Sequence, residues 1–137
     1  MESFELLVIE DNRADVAIVQ NLLKHPIRPN VSFKVISAPT LRDGLGALGS
    51  NKPDAILFDL RLPDGTTALE NLAAICQAAP RVPVVVVSGQ DDTETVLASV
   101  RQGARDYLVK GRLDAAALQT SILRVVEWSR AALPPPH

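Results

Sequence analysis

The sequence predicts an α/β protein built as an open, doubly wound sheet of five parallel strands with helices on both faces. Short apolar runs alternate five times with segments of helical period, which is the pattern of consecutive βα units with right-handed crossovers. Five units are too few for an eight-stranded closed barrel. We therefore expect the flavodoxin-like strand order 2-1-3-4-5.

The predicted strands are short apolar runs bounded by polar residues. The second alternates apolar and polar residues, as a half-buried edge strand does. The fourth is an uninterrupted β-branched run, which indicates burial on both faces. In chain order the strands are expected at Phe4–Ile9, Val31–Ile36, Ala55–Phe58, Val84–Val87 and Tyr107–Val109.

The predicted helices follow these strands, and glycine, proline and capping residues mark their limits. Gly44 and Gly46 weaken the prediction for the second helix. The polar segment 91–93 offers capping side chains for the fourth helix, which runs to about Gln102, and Gly103 can close it. The other four helices are expected at about Ala14–Leu23, Thr40–Leu48, Ala68–Ala79 and Asp114–Trp128.

The composition is that of one globular domain, with 47% hydrophobic and 22% charged residues in a chain of 137. We assign residues 1–130 to this domain. Residues 131–137, with three consecutive prolines, are either a natural end or the start of a linker. A net charge of −2 without a basic block argues against direct binding to nucleic acid or to a membrane surface. With no signal peptide and no long apolar run, a cytoplasmic protein is expected.

Reactive side chains follow four of the predicted strands. Glu10 and Asp11 end the first strand, Asp59 the third, Ser88 the fourth and Lys110 the fifth. Because open α/β sheets bind ligands beyond the carboxyl ends of their strands, the three carboxylates are expected to converge. Such a cluster suits Mg²⁺. Asp59 could then attack a phosphoryl group as a nucleophile, while Lys110 and Ser88 contact its oxygens.

Each of these residues also has a simpler interpretation. Glu10 and Asp11 can serve only to offset the dipole of the following helix, and Asp59 can be a loop carboxylate. Ser88 before a glycine is consistent with a turn, and Lys110 with a solvated strand end. Their joint occurrence, in the right order at four strand ends, favours a site.

At these residues the chain resembles the receiver domain of response regulators in two-component signalling, from about Glu5 to Trp128. Residues 109–114 (VKGRLD) further resemble a subset found at the N-termini of larger signalling proteins. The segments that carry the main resemblance are 6–12 (LLVIEDN), 56–65 (ILFDLRLPDG), 84–89 (VVVVSG) and 103–110 (GARDYLVK).

The resemblance implies a phosphoacceptor and a metal site. Asp59 would take a phosphoryl group from a phosphohistidine on a sensor histidine kinase or a histidine phosphotransfer protein. Glu10, Asp11 and Asp59 would hold Mg²⁺ together with the backbone carbonyl of Arg61. The domain would catalyse only its own phosphorylation and dephosphorylation, and would not be a multiple-turnover enzyme.

The resemblance also implies how the phosphoryl group is sensed. Ser88 and Lys110 would contact it, and Tyr107 occupies the aromatic switch position, where the ring moves inward. Arg61 and Gln90 match positions that tune the lifetime of the acyl phosphate. The surface expected to change comprises the fourth helix, the fifth strand and the fifth helix, through which a homodimer is possible.

Three positions depart from the family's usual residues without removing a catalytic group. Gly111 follows Lys110 where most receivers have proline, which implies a looser connection to the last helix. Gly89 replaces the commoner alanine, and Glu10 stands where many members have aspartate.

Two other functions remain open at this point. A metal-dependent phosphohydrolase of similar topology usually has a second aspartate two residues after its nucleophile. Here that position is Arg61, whose guanidinium stays protonated and cannot act as a general acid or base. The other alternative is a scaffold that retains the fold and acts without phosphorylation.

Overall fold

The computed structural model describes residues 1–61 and 67–131, which form one parallel sheet between two layers of helices. The sheet has the order β2-β1-β3-β4-β5, and each neighbouring pair is parallel. The predicted fold class and strand order are therefore confirmed. The strands are Glu2–Ile9 (β1), Val31–Ala38 (β2), Ala55–Phe58 (β3), Val84–Ser88 (β4) and Asp106–Val109 (β5).

Five α-helices connect or follow these strands, as predicted, with ends that differ from the predicted ones by up to three residues. A short 3-10 turn at Lys110–Arg112, which the sequence patterns did not predict, joins β5 to the last helix. The helices are Arg13–Leu23 (α1), Leu41–Ser50 (α2), Ala68–Ala78 (α3), Thr93–Arg101 (α4) and Ala115–Ala131 (α5).

Side chains cap these helices at their N-termini. The carboxylate of Asp92 accepts the N–H of Thr95 at 3.0 Å and begins α4. The carboxylate of Asp114 accepts the N–H of Ala117 at 2.7 Å and begins α5. Past the end of α4, Gly103 has a φ of +117°, which a side chain would strain, so its predicted role in closing that helix is confirmed.

The core has two parts, one on each face of the sheet. Residues that alternate along a strand belong to opposite parts, as Val85 and Val87 do relative to Val84 and Val86. Helices α1 and α5 cover the first face, and α2 and α3 pack on the second. Buried members of the first part include Leu6, Val8, Val19, Leu57, Leu118, Ile122, Val125 and Val126, and those of the second include Leu7, Ile9, Ile56, Phe58, Leu72 and Ile75.

A buried polar side chain ties α5 to the segment that follows α1. Gln119 is fully buried and accepts the N–H of Ile27 at 2.8 Å. It also donates to the carbonyls of Leu22 at 2.8 Å and His25 at 3.1 Å. All its polar atoms are thereby paired, which offsets the cost of burying them.

Some predictions fall outside the described residues. The loop with Pro63, Asp64 and Gly65 lies there, and so does the tail from residue 132 onward. Ala131, which we assigned to that tail, is the last residue of α5. Within the described residues, no helix combines the length and the apolar character needed to cross a membrane.

Candidate functional site

Two carboxylates meet at the centre of the sheet's carboxyl edge. The Asp59 N–H donates to the carbonyl of Ile9 at 3.0 Å, and the Glu10 N–H donates to the carbonyl of Ala38 at 2.9 Å. These bonds extend the strand ladders by one residue and fix Glu10 beside Asp59. Glu10, Asp11 and Asp59 each offer one carboxylate oxygen, and these oxygens lie within 4.8 Å of one another. The predicted convergence of the three carboxylates is confirmed.

The three carboxylates differ in their exposure. Glu10 and Asp59 are 7% and 4% exposed, whereas Asp11 lies at the surface. Burial, reinforced by Asp59, raises the pKa of Glu10 to about 7 against the opposing effects of Lys110 and the N–H of Asn12. A cation bound to these oxygens would relieve this concentration of negative charge.

The cap of α1 is Asn12 rather than either acidic residue before it. The Asn12 side chain accepts the N–H of Ala14 at 2.9 Å and that of Asp15 at 3.2 Å. Oε2 of Glu10 accepts the N–H of Asn12 at 3.1 Å, which orients this carboxylate. Neither Glu10 nor Asp11 is therefore the N-cap, and both lie at the N-terminus of α1, where their charge also offsets the helix dipole.

Lys110 supplies positive charge to the site from the 3-10 turn after β5. Its Nζ donates to Glu10 Oε1 and Asp15 Oδ2, both at 2.7 Å, and lies 3.5 Å from Asp59 Oδ2. Burial lowers the pKa of Lys110, but the hydrogen bonds to Asp15 and Glu10 and the charge of Asp59 outweigh it and hold the pKa above its ordinary value. Lys110 is therefore an ammonium ion and not a solvated strand end.

Asp15 belongs to this group, although the sequence patterns did not single it out. It is the acidic residue in the first turn of α1. Because an acidic residue in a first helical turn is ordinarily explained by the helix dipole, no sequence pattern assigned Asp15 to the site.

Ser88 ends β4 on the neighbouring strand and is fully buried. Its Oγ accepts the N–H of Gln90 at 3.2 Å, a turn-type bond of the kind that the simpler interpretation predicts. The hydroxyl proton can still be donated to another acceptor. Among the hydrogen bonds of the described residues, none joins Ser88 to Asp59.

Tyr107 links β5 to the segment between β4 and α4. Its hydroxyl donates to the carbonyl of Gln90 at 2.8 Å. Its ring packs against the core face that includes Ile75, whereas Asp106 and Leu108 on either side of it point towards α5. Tyr107 and Ser88 therefore contact the same residue, Gln90, from two strands.

Arg61 lies two residues after Asp59 and directly before residues 62–66, which are outside the described part of the chain. Its backbone N–H donates to Asp59 Oδ1 at 3.1 Å, and its side chain is exposed. The structure thus brings Glu10, Asp11, Asp59 and Lys110 into one cluster, with the Arg61 backbone beside it. Ser88, Gln90 and Tyr107 form a second, adjacent group.

The donor set fits a hard divalent cation. Three carboxylates can supply oxygen ligands from one side, which is how Mg²⁺ is usually held when it also binds water and phosphate. A lysine ammonium beside them can contact an anionic group. The fold and these groups define a class of protein: a flavodoxin-like domain whose carboxyl edge is suited to a divalent cation and a phosphoryl group.

The sequence model of the response regulator receiver domain matches residues 6–123 of this chain. The protein therefore belongs to the response regulator receiver domain family of two-component systems.

Its curated relatives include longer regulators. The chain is 34% identical over 97 residues to regulatory protein LuxO of Vibrio cholerae, covering 70% of this chain and 21% of LuxO. It is 33% identical over 105 residues to the KDP operon transcriptional regulatory protein KdpE of Escherichia coli, covering 77% of this chain and 44% of KdpE. The chain thus spans less than half the length of these relatives.

Solved structures of receiver domains share the fold. The receiver domain of a putative LuxO repressor protein from Vibrio parahaemolyticus has a TM-score of 0.80 at 22% identity, covering 93% of each chain. The CheY-like receiver domain protein of Methanospirillum hungatei has a TM-score of 0.79 at 22% identity, covering 94% of this chain and 98% of that one. The Mn²⁺-bound form of response regulator Rcp1 has a TM-score of 0.69 at 26% identity, covering 97% of this chain and 99% of that one.

Proposed function

We propose that Asp59 is the phosphoacceptor of this receiver domain. The observation that carries the proposal is the cluster of Glu10, Asp11, Asp59 and Lys110 at the carboxyl edge of the sheet. Asp59 is 5% exposed in its side chain, yet its Oδ1 is oriented by the N–H of Arg61 and its Oδ2 faces Lys110. These contacts fix the orientation of the carboxylate, so a phosphoryl donor would meet a prearranged nucleophile.

The donor would be a phosphohistidine on a sensor histidine kinase or a histidine phosphotransfer protein. A carboxylate oxygen of Asp59 forms a bond to phosphorus while the bond from phosphorus to the imidazole nitrogen breaks. The imidazole leaves with the electron pair of that bond and takes a proton from solvent. Lys110 contacts a phosphoryl oxygen, and the Ser88 hydroxyl donates to another.

The cofactor would be Mg²⁺. Glu10, Asp11, Asp59 and the backbone carbonyl of Arg61 would hold it, and it would neutralise charge on the phosphoryl group. The Mn²⁺-bound form of the similar regulator Rcp1 supports a divalent cation as the cofactor. The set of three carboxylate oxygens within 4.8 Å of one another also supports it.

The response would pass through the Ser88, Gln90 and Tyr107 group. When Ser88 moves towards a phosphoryl oxygen, its bond to the Gln90 N–H is lost, and the Gln90 carbonyl that holds the Tyr107 hydroxyl shifts with it. Tyr107 can then turn inward and change the surface of α4, β5 and α5. Leu97 and Val100 on α4 are exposed apolar residues. The proposal therefore includes a homodimer that forms through this surface.

Phosphorylation by a small acyl phosphate tests the central claim. We expect intact mass to show one added phosphoryl group in the presence of Mg²⁺ and none after chelation with EDTA. Asp59→Asn should remain unmodified, whereas Asp43→Asn, at an exposed residue in the first turn of α2, should behave as wild type. An unmodified wild type, or equal modification of Asp59→Asn, would refute the proposal.

The same experiment addresses the phosphohydrolase alternative. Arg61 is exposed and cannot exchange a proton near neutral pH, so we expect stoichiometric phosphorylation followed by slow loss. Multiple-turnover release of phosphate from simple phosphoesters would instead favour a hydrolase. Tight partner binding that is unchanged in Asp59→Ala would favour a scaffold.

A further inference from the structure

The ammonium of Lys110 lies closer to two other carboxylates than to the proposed phosphoacceptor. Its Nζ is 2.7 Å from Glu10 Oε1 and 2.7 Å from Asp15 Oδ2, but 3.5 Å from Asp59 Oδ2. At 3.5 Å, the contact with Asp59 is at the limit of a hydrogen bond. Lys110 is therefore displaced from Asp59 towards the N-terminal end of α1.

The backbone of Asp15 lies in an anchored helix, whereas Lys110 lies in a short turn. The N–H of Asp15 is held by the side chain of Asn12, and α1 is anchored in the core by Val19 and Leu23. Lys110 extends from a short turn and is followed by Gly111, around which a Cβ would meet no atom within 4 Å. Asp15 and Glu10 hold the ammonium jointly, and of these two only Asp15 is not a proposed metal ligand.

We propose that Asp15 is a positioning residue that holds Lys110 away from Asp59 and thereby limits how fast Asp59 accepts a phosphoryl group. This inference rests on the proposed function of Asp59. Before Lys110 can contact a phosphoryl oxygen at full strength, its ammonium has to give up or lengthen the bond to Asp15. Asp15 thus competes with the incoming group for the same cation.

Asp15 and Asp59 differ in burial, and this difference determines which of their contacts with Lys110 breaks more easily. The Asp15 side chain is 29% exposed, whereas that of Asp59 is 5% exposed. Water can replace Lys110 at Asp15, so this bond breaks at a moderate cost. A phosphoryl group on Asp59 adds negative charge in the buried part of the site, where attraction to the ammonium is stronger.

Asp15→Asn tests the proposal because it removes the charge and keeps the shape. At saturating Mg²⁺ and with acetyl phosphate as donor, we expect the second-order rate constant of phosphorylation to rise about threefold to tenfold, which corresponds to the net free energy of one ordinary hydrogen bond because the contact with Asp15 is partly exposed to water. Asp43→Asn makes the same charge change in the first turn of α2, and its rate constant should match wild type. An unchanged or slower rate in Asp15→Asn would overturn the proposal.

A double-mutant cycle separates positioning from general repulsion of the anionic donor. In a Lys110→Met background, Asp15→Asn should leave the remaining rate unchanged, because there is no ammonium to release. If Asp15→Asn accelerates phosphorylation equally in both backgrounds, the effect is long-range electrostatics and the positioning role is wrong.

Crystal structures provide a readout that does not depend on phosphorylation. In metal-free Asp15→Asn, Lys110 Nζ should move into direct contact with Asp59 Oδ2, while the Asn12 cap and α1 stay in place. An unmoved Nζ would overturn the inference even if Asp59 is phosphorylated. If the wild type is not phosphorylated at all, the proposed function fails, and these structures still decide whether Asp15 positions Lys110.

Discussion

At the scale of single residues, the described part of the site contains four carboxylates and one side-chain cation, Lys110. Lys110 contacts Glu10, Asp15 and Asp59, and Asp11 lies beside them. Two of these carboxylates are nearly buried, where unpaired charge is costly. Lys110 therefore contributes to the stability of the metal-free domain as well as to its chemistry.

Lys110→Met tests this contribution. In EDTA, we expect the free energy of unfolding, measured by urea denaturation, to fall by about 1–3 kcal/mol. The loss should stay below that of a fully buried ion pair because the Lys110 side chain is 26% exposed. Added Mg²⁺ should recover part of the loss because it replaces the missing positive charge.

Lys34→Met is the matched control for this experiment. Lys34 lies on the edge strand β2, is exposed and has no ion pair among the described residues. Its free energy of unfolding should change little, with or without Mg²⁺. Equal losses in the two variants would mean that Lys110 has no special role in balancing charge.

At the scale of elements, two glycines of α2 have opposite roles. They weakened the sequence-based prediction of this helix, yet the helix runs from Leu41 to Ser50. A Cβ on Gly44 would lie 2.5 Å from Cδ1 and 2.9 Å from Cγ1 of Ile9, which is fully buried. Gly46 has no atom within 4 Å of its Cβ position. Gly44 thus permits α2 to approach β1, and Gly46 only lowers helix propensity.

Substituting each glycine by alanine should therefore change stability in opposite directions. Gly44→Ala should lower the free energy of unfolding by about 1–3 kcal/mol because the buried side chain of Ile9 would have to shift. Gly46→Ala should raise it by about 0.5–1 kcal/mol through helix propensity. Thermal or urea denaturation of the two variants measures both effects, and a stabilised Gly44→Ala would show that the contact with Ile9 is not tight.

At the scale of the whole molecule, metal binding should be coupled to folding. The proposed ligands come from two strand ends that are adjacent only in the folded sheet, so the unfolded chain has no comparable site. Mg²⁺ at about one hundred times its dissociation constant should stabilise the domain by about 2.7 kcal/mol. The shift of the thermal midpoint with Mg²⁺ concentration measures this coupling.

Asp11→Asn is the informative variant because Asp11 is the exposed member of the cluster. In EDTA, the thermal unfolding midpoint of Asp11→Asn should equal or exceed that of wild type, because the substitution removes one negative charge from a crowded cluster. The Mg²⁺-dependent shift should be much smaller. A full Mg²⁺ shift in Asp11→Asn would show that this carboxylate does not hold the metal.

The sequence alone determined the fold class, the strand order and the groups at the strand ends. The fold class and the strand-end groups follow from local periodicity and from the rule that parallel strands align their carboxyl ends, whereas the strand order followed from the usual order of five-unit doubly wound sheets. Glu10, Asp11, Asp59 and Lys110 could be assigned to one edge of the sheet for this reason.

Only the tertiary structure decided which partners these groups have. The contact between Lys110 and Asp15 joins residues 95 positions apart, and the approach of Gly44 to Ile9 depends on how a helix packs on a strand. Neither has a period or a spacing that a sequence pattern can display, because side-chain partners depend on distances between elements in the folded chain. Local rules determined where the reactive groups lie, and packing determined that Asp15 holds the lysine.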